Sequence, residues 1–75
     1  MFWLNADLPT GIWKLHRDGC LYCKPEETHS KGVEKMKDGG GWFSFPTLKA
    51  AYEFYKGQNE RYVWQPCKIC KPDQA

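Results

Sequence analysis

Short runs of strand-forming residues alternate with turn residues at the start of the chain. Phe2-Trp3-Leu4 and Ile12-Trp13-Lys14-Leu15-His16 are separated by Asn5-Ala6-Asp7-Leu8-Pro9-Thr10-Gly11, whose Asn, Asp, Pro and Gly favour turns. This predicts a hairpin or two consecutive short strands. In the second run the two-residue period puts Ile12, Lys14 and His16 on one side and Trp13 and Leu15 on the other, so His16 projects away from the Trp13 side. Arg17-Asp18-Gly19 then turns the chain. Residues 24–41 carry alternating charges, end in three glycines and offer only Val33 and Met36 as sizeable apolar groups. They read as a mobile charged loop, and Gly32 argues against a helical turn pinned by Val33 and Met36.

Trp42-Phe43-Ser44-Phe45 reads as a strand, and Thr47 as a helix cap whose hydroxyl accepts from first-turn amides. Leu48, Ala51, Tyr52 and Tyr55 recur at helical spacing, predicting a helix from Leu48 to about Lys56 that Gly57 stops in a left-handed conformation. On that stripe the two tyrosines are core groups rather than a stacking platform for bases. Residues 58–60 form a polar connection, Arg61-Tyr62-Val63-Trp64 a short extended segment, and Pro66 sets the entry to the last cysteine pair. The tail at 71–75 has nothing with which to make a core. The expected fold is α+β: short antiparallel strands with one main helix at about 48–56, in a single domain spanning 1–75.

A chain of 75 residues buries too little surface to be comfortably stable without a staple. Its apolar material is concentrated in twelve aromatics, including Trp3, Trp13, Trp42 and Trp64. No basic segment leads into an apolar run at the N-terminus and no stretch approaches the length of a membrane span, so the expectation is a soluble, cytoplasmic protein without a membrane partner. Thiols stay reduced there, which favours ligands over disulfides.

All four cysteines lie in two CxxC pairs, Cys20-Leu21-Tyr22-Cys23 and Cys67-Lys68-Ile69-Cys70, with 43 residues between the pairs. Two such turns supply four thiolates to an ion that prefers tetrahedral soft ligands, which points to one structural Zn2+ on Cys20, Cys23, Cys67 and Cys70. His16, four residues before Cys20, offers an alternative to Cys23 in a Cys-Cys-Cys-His set. His29, in the charged loop, reads as solvated. Four thiolates around a dication would bring the formal charge of +2 to zero. Global charge therefore does not favour nucleic acid. Locally, Lys14, Arg17, Lys24, Lys68 and Lys71 surround the cysteines, either offsetting thiolate charge or forming a rim that contacts phosphates.

From Phe43 to Asp73 the chain resembles the metal-binding domain of the Ada methylphosphotriester-repair proteins and related small zinc modules. Phe45-Pro46-Thr47-Leu48-Lys49-Ala50-Ala51 is similar to that family's strand, cap and helix, and Trp64-Gln65-Pro66-Cys67-Lys68-Ile69-Cys70-Lys71-Pro72-Asp73 to its ending. The resemblance implies His16, Cys20, Cys67 and Cys70 as ligands, because His16 and Cys20 match the spacing of the family's first ligand pair. It also places His16 where Ada carries its methyl-accepting cysteine. An imidazole is not that nucleophile, so phosphotriester repair is not expected. The insertion at 24–41 departs from the family's shorter connection.

Four protein ligands leave no position for water, which argues against hydrolytic zinc chemistry. The expected function is a non-catalytic structural-zinc module that supports recognition of DNA, RNA or a protein, whether alone or fused to another domain. The alternative is thiol chemistry, as an alkyl acceptor or a CxxC redox pair, but Lys24-Pro25 after Cys23 does not open the helix that redox CxxC motifs usually precede.

Overall fold

The computed structural model describes residues 1–58 and 61–72. Five strands and one helix follow in the order β1 (Phe2–Asp7), β2 (Ile12–Arg17), β3 (Gly32–Val33), β4 (Gly40–Phe45), α1 (Leu48–Lys56) and β5 (Val63–Pro66). The strands form one sheet in the spatial order β3-β4-β1-β2-β5. The α+β class holds, but the sheet is mixed: β1 pairs antiparallel with β2 and β4, whereas β2–β5 and β3–β4 are parallel. The antiparallel expectation fails at the β5 edge because α1 carries the chain from β4 past β1 and β2, a crossover of the kind that joins parallel strands. At the other edge β3 and β4 are parallel with only residues 34–39 between them.

β1 runs through Asn5, Ala6 and Asp7, residues that turn propensity had assigned to a loop. Alternation explains this: Leu4 and Ala6 are fully buried while Asn5 and Asp7 face the other way. The turn is confined to residues 8–11, where the Gly11 amide donates to the Asp7 carbonyl at 2.9 Å and the Thr10 hydroxyl to the Asp7 carboxylate at 2.9 Å.

The core is Leu4, Ala6, Trp13, Leu15 and Ala51, on the sheet face covered by α1. Trp13 stacks on Tyr62 at 4.8 Å and meets Phe54 at 6.0 Å and Tyr55 at 6.1 Å. Phe54, absent from the expected stripe, is the hub of the helix face, with Phe43 at 4.9 Å and Phe45 at 5.3 Å. Tyr52 lies at the stripe's margin, 42% exposed and edge-on to Trp64. Thr47 caps α1 as expected, its hydroxyl accepting from the Ala50 amide at 3.1 Å. Gly57 closes the helix in a right-handed rather than left-handed conformation (φ −76°), its amide donating to the Glu53 carbonyl. The Tyr55 hydroxyl donates to the Tyr62 carbonyl at 2.6 Å and ties α1 to the approach to β5.

The segment expected to be a loop contributes β3 and gives Gly40 and Gly41 to β4. Val33 therefore sits in a strand, not a helical turn, and Met36 is exposed. Many of the segment's polar groups pair with one another: Glu27 bridges Lys35 and Lys37 at 3.2 Å each, and the Gly39 amide donates to the Ser30 carbonyl at 2.7 Å. Glu34 accepts the Ser44 amide at 2.6 Å on its carboxylate, continuing the edge beyond β3. Pro72 is buried rather than part of a bare tail. Asn59 and Glu60 of the polar connection, and Asp73 to Ala75 of the tail, lie outside the described residues. No helix among the described residues is long and apolar enough to cross a membrane.

Gly40 opens β4 at φ +124°, and a Cβ there would run into the Ala6 carbonyl of β1. Gly19 is also left-handed (φ +85°) but has open space around it. Gly40→Ala should therefore cost about 3 kcal/mol, strain and overlap together, and Gly19→Ala only about 1 kcal/mol. Urea unfolding midpoints of the two variants check this; equal losses would show that the β1–β4 approach is not tight.

Candidate metal centre

The site is assembled by two neighbouring strand ends. β5 lies parallel to β2 in the register Ile12–Val63, Trp13–Trp64, Lys14–Gln65 and Leu15–Pro66. The next residue on β5, Cys67, consequently arrives beside His16, and its amide extends the pairing by donating to the Leu15 carbonyl at 2.8 Å. Past β2 the chain turns at Gly19, where the Cys20 amide donates to the Arg17 carbonyl at 3.1 Å and swings Cys20 back toward the strand end. The second CxxC curls around its own first sulfur, closed by the Lys71 amide on the Cys67 carbonyl at 2.9 Å.

The ligand atoms of His16, Cys20, Cys67 and Cys70 all lie within 4.8 Å of one another, and the four residues could hold one metal ion. The Cys20 and Cys67 sulfurs are 3.9 Å apart. A tetrahedral ion with metal–sulfur bonds of 2.3 Å sets that edge at about 3.8 Å. All four cysteines are free thiols.

Hydrogen bonding at the donor atoms is uneven. His16 is 2% exposed, and its Nδ1 is buried with no hydrogen-bond partner. Leaving such a nitrogen unsatisfied costs about 1–3 kcal/mol, a penalty that a metal bond removes. Burial, and secondarily the Lys14 ammonium, lower the His16 pKa and favour the neutral ring, which has a lone pair to give. Its ring lies 6.0 Å from that of Trp42. Burial acts to raise Cys67, but the backbone amides of Cys70 and Ile69, together with the Cys70 and Cys20 side chains, outweigh it and lower the thiol. This is how a CxxC turn stabilises its first thiolate. Burial pushes Cys70 up to about 11, opposed by the Arg17 amide, which donates to its sulfur at 3.2 Å.

Cys23 stands outside this group. It is half-buried at the end of the first CxxC, its amide donating to the Cys20 carbonyl at 2.9 Å. Burial, then the charges of Cys20, Asp18, Cys70 and Cys67, push its thiol up to about 11. Of the two ligand sets open in the sequence, the structure gathers the one containing His16 and leaves Cys23 to the side.

The five basic residues near the cysteines are engaged differently. Arg17 turns its guanidinium onto the second knuckle, with Nε donating to the Cys70 carbonyl at 3.0 Å and Nη2 to the Lys71 carbonyl at 3.2 Å. Lys24 is exposed past Cys23, and Lys71 is exposed at φ +48°. Lys14 and Lys68 share a cleft next to the centre, together with Asn5 and Gln65. The Arg17 clamp and the cleft amides had no signature in the sequence, because both depend on the β2–β5 register. His29 is exposed, as expected. No family model, curated protein or solved structure matches the chain.

Proposed function

We propose that the chain is a non-catalytic structural-zinc module in which one Zn2+ is held by His16, Cys20, Cys67 and Cys70, and that the stapled sheet serves as a recognition surface. The observation that carries this reading is the convergence of four donor groups from two distant parts of the chain within 4.8 Å, one of them a buried imidazole whose Nδ1 has no hydrogen-bond partner. Three thiolates and an imidazole suit zinc, and they fill its tetrahedron without an open position for water or substrate. The metal would join the end of β2 to the end of β5 and act as a structural cross-link rather than a Lewis acid. The resemblance to Ada-type metal domains supports the same ligand set. His16 in place of the methyl acceptor keeps alkyl transfer out of the proposal.

Native mass spectrometry tests the reading. The wild type and Cys23→Ser should each carry one zinc. His16→Ala should lose it by more than the roughly 10–100-fold that outer partners of a metal site are worth. His16→Cys, which offers a fourth thiolate at the same position, should retain the ion and so separates ligation from packing. Loss of zinc from Cys23→Ser with retention in His16→Ala would establish the four-sulfur site instead.

Removing the metal should loosen the domain, because the binding free energy is part of the folding free energy. A strong chelator should therefore collapse the near-ultraviolet circular dichroism of the aromatic core, and zinc should restore it. An unchanged spectrum would mean that the sheet holds without its cross-link. Arg17→Ala removes both guanidinium bonds to the second knuckle and should weaken zinc roughly 10-fold in a chelator competition.

A further inference from the structure

The sheet face opposite α1 carries an in-register row across four strands: Trp42 on β4, Asn5 on β1, Lys14 on β2 and Gln65 on β5. At the β1-β2-β5 end of this row opens a cleft of about 480 Å³. It is lined by Asn5, Lys14 and Gln65 from the strands, by Tyr22 from the first knuckle and Lys68 and Ile69 from the second, and by His16 and Cys67 of the donor cluster. This volume falls in the range of small-molecule sites.

The chemistry of the lining is selective. Asn5 lines the cleft, and its buried Oδ1 is an acceptor without a hydrogen-bond partner, so the side chain must turn for a ligand's donor to reach it. Gln65 adds an amide that both donates and accepts. Lys14 and Lys68 make no ion pair among the described residues, and the lining contains no carboxylate; Asp7 lines the adjoining smaller cleft, where it accepts the Thr10 hydroxyl. Tyr22 is 59% and Ile69 65% exposed, large apolar groups held out of the core by the knuckles that carry them. Two cations beside a donor cluster that would carry a net charge of minus one with its ion still leave the cleft positive, which calls for an anion. An aromatic and an aliphatic lip beside amides call for a flat ring with polar edges. A simple inorganic anion would leave the lips and the Asn5 acceptor unused.

We propose that this cleft binds one nucleotide unit, its base against Tyr22 and Ile69 with an amino-bearing edge toward Asn5 and Gln65, and its phosphate between Lys14 and Lys68. The proposal rests on the reading of the chain as a metal-stapled recognition module, because both knuckles that line the cleft are loops that the metal would hold. Stacking on an exposed aromatic together with amide contacts to a base edge is how unpaired nucleotides are recognised. The source is either a free nucleotide or one residue of a single strand.

The test uses the full chain with its zinc content measured in the same sample, titrated by calorimetry at about 20 mM salt with adenosine monophosphate, and by fluorescence anisotropy with a labelled ten-residue oligoadenylate. Binding is expected. Tyr22→Ala should weaken it about five-fold or more, with Tyr22→Phe close to wild type. Lys14→Ala and Lys68→Ala should each weaken it about ten-fold, less at higher salt. Inorganic phosphate alone should bind at least about ten-fold more weakly than the nucleotide, which places the difference in the base contacts. An oligonucleotide affinity well above that of the mononucleotide assigns the single strand as the source, and equal affinities assign the free nucleotide. No binding of either probe to a chain carrying one zinc would overturn this inference and leave the metal reading intact. A metal-free chain that still binds, with the same lysine and tyrosine dependence, would do the reverse. Binding indifferent to Tyr22→Ala, or displaced equally well by polyglutamate, would also overturn it.

Discussion

The parallel pairing of β2 with β5 is the constraint on which the rest of this molecule depends. Leu15 stands opposite Pro66, and that single register brings residues 51 positions apart into one site by placing Cys67 level with His16. A slip of one residue would turn Trp64 away from the helix and bring Gln65 into the aromatic cluster, because neighbouring side chains point to opposite faces. The register is secured from both faces. On the α1 side, Trp64 packs against Tyr55 at 5.3 Å and edge-on to Tyr52 at 5.0 Å. At the strand ends, the Val63 amide donates to the Gly11 carbonyl and the Cys67 amide to the Leu15 carbonyl, each at 2.8 Å.

The same pairing explains why a histidine joins the donor cluster when a fifth soft donor is close by. His16 is still part of β2, so its direction is set by the alternation that buries Trp13 and Leu15 on the other face. Cys23 follows a turn and three residues that belong to no strand, so no sheet register sets its direction. Charge acts in the same sense. A third thiolate beside Cys67 and Cys70 already crowds negative charge around one point, and Cys23, raised first by burial and then by the neighbouring cysteines and Asp18, is held toward its neutral form. With a neutral imidazole in its place, a bound dication would give the centre a net charge of minus one instead of minus two, which would be easier to desolvate.

Local signals were legible in the sequence wherever the structure is local. The helix bounds, the Thr47 cap and the facing of His16 away from Trp13 all follow from periodicity and short-range hydrogen bonding, and each is present. What the sequence hid is non-local. Asn5, Ala6 and Asp7 have turn propensity and become strand because β4 pairs along their other edge as far as Asp7–Gly40. Gly32 and Val33 are too short a run to announce a strand, and they exist as one only because β4 lies beside them. Phe54 lies off the four-position stripe, but a helix packed across a sheet presents a wider apolar face, wide enough for both Tyr55 and Phe54 to reach Trp13. The ligand choice was legible only to the point of two alternatives, since spacing alone does not say which of His16 and Cys23 is held by a strand.

The sheet separates two kinds of chemistry, and this separation bears on how a surface loop could be kept rigid in so small a protein. The larger aromatic cluster occupies the α1 face, where Trp13 sits fully buried among Phe54, Tyr55 and Tyr62, while Trp42 is buried on the opposite face beside His16. The donor cluster, the unpaired Asn5 acceptor and the cleft lysines occupy the strand ends and the opposite face. An aromatic core stabilises the sheet but exerts no direct hold on Leu21, Tyr22 or Ile69, which project from the two CxxC turns into solvent. Immobilising exposed side chains of that size opposes their rotamer and backbone entropy. The contacts able to do so are those at the turn backbones: the amides on the cysteine sulfurs and the Arg17 bonds to the Cys70 and Lys71 carbonyls, which a shared ion would reinforce. In that arrangement, a cross-link placed at the edge of the sheet would order the groups that a ligand would meet, which enlarging the core could not achieve.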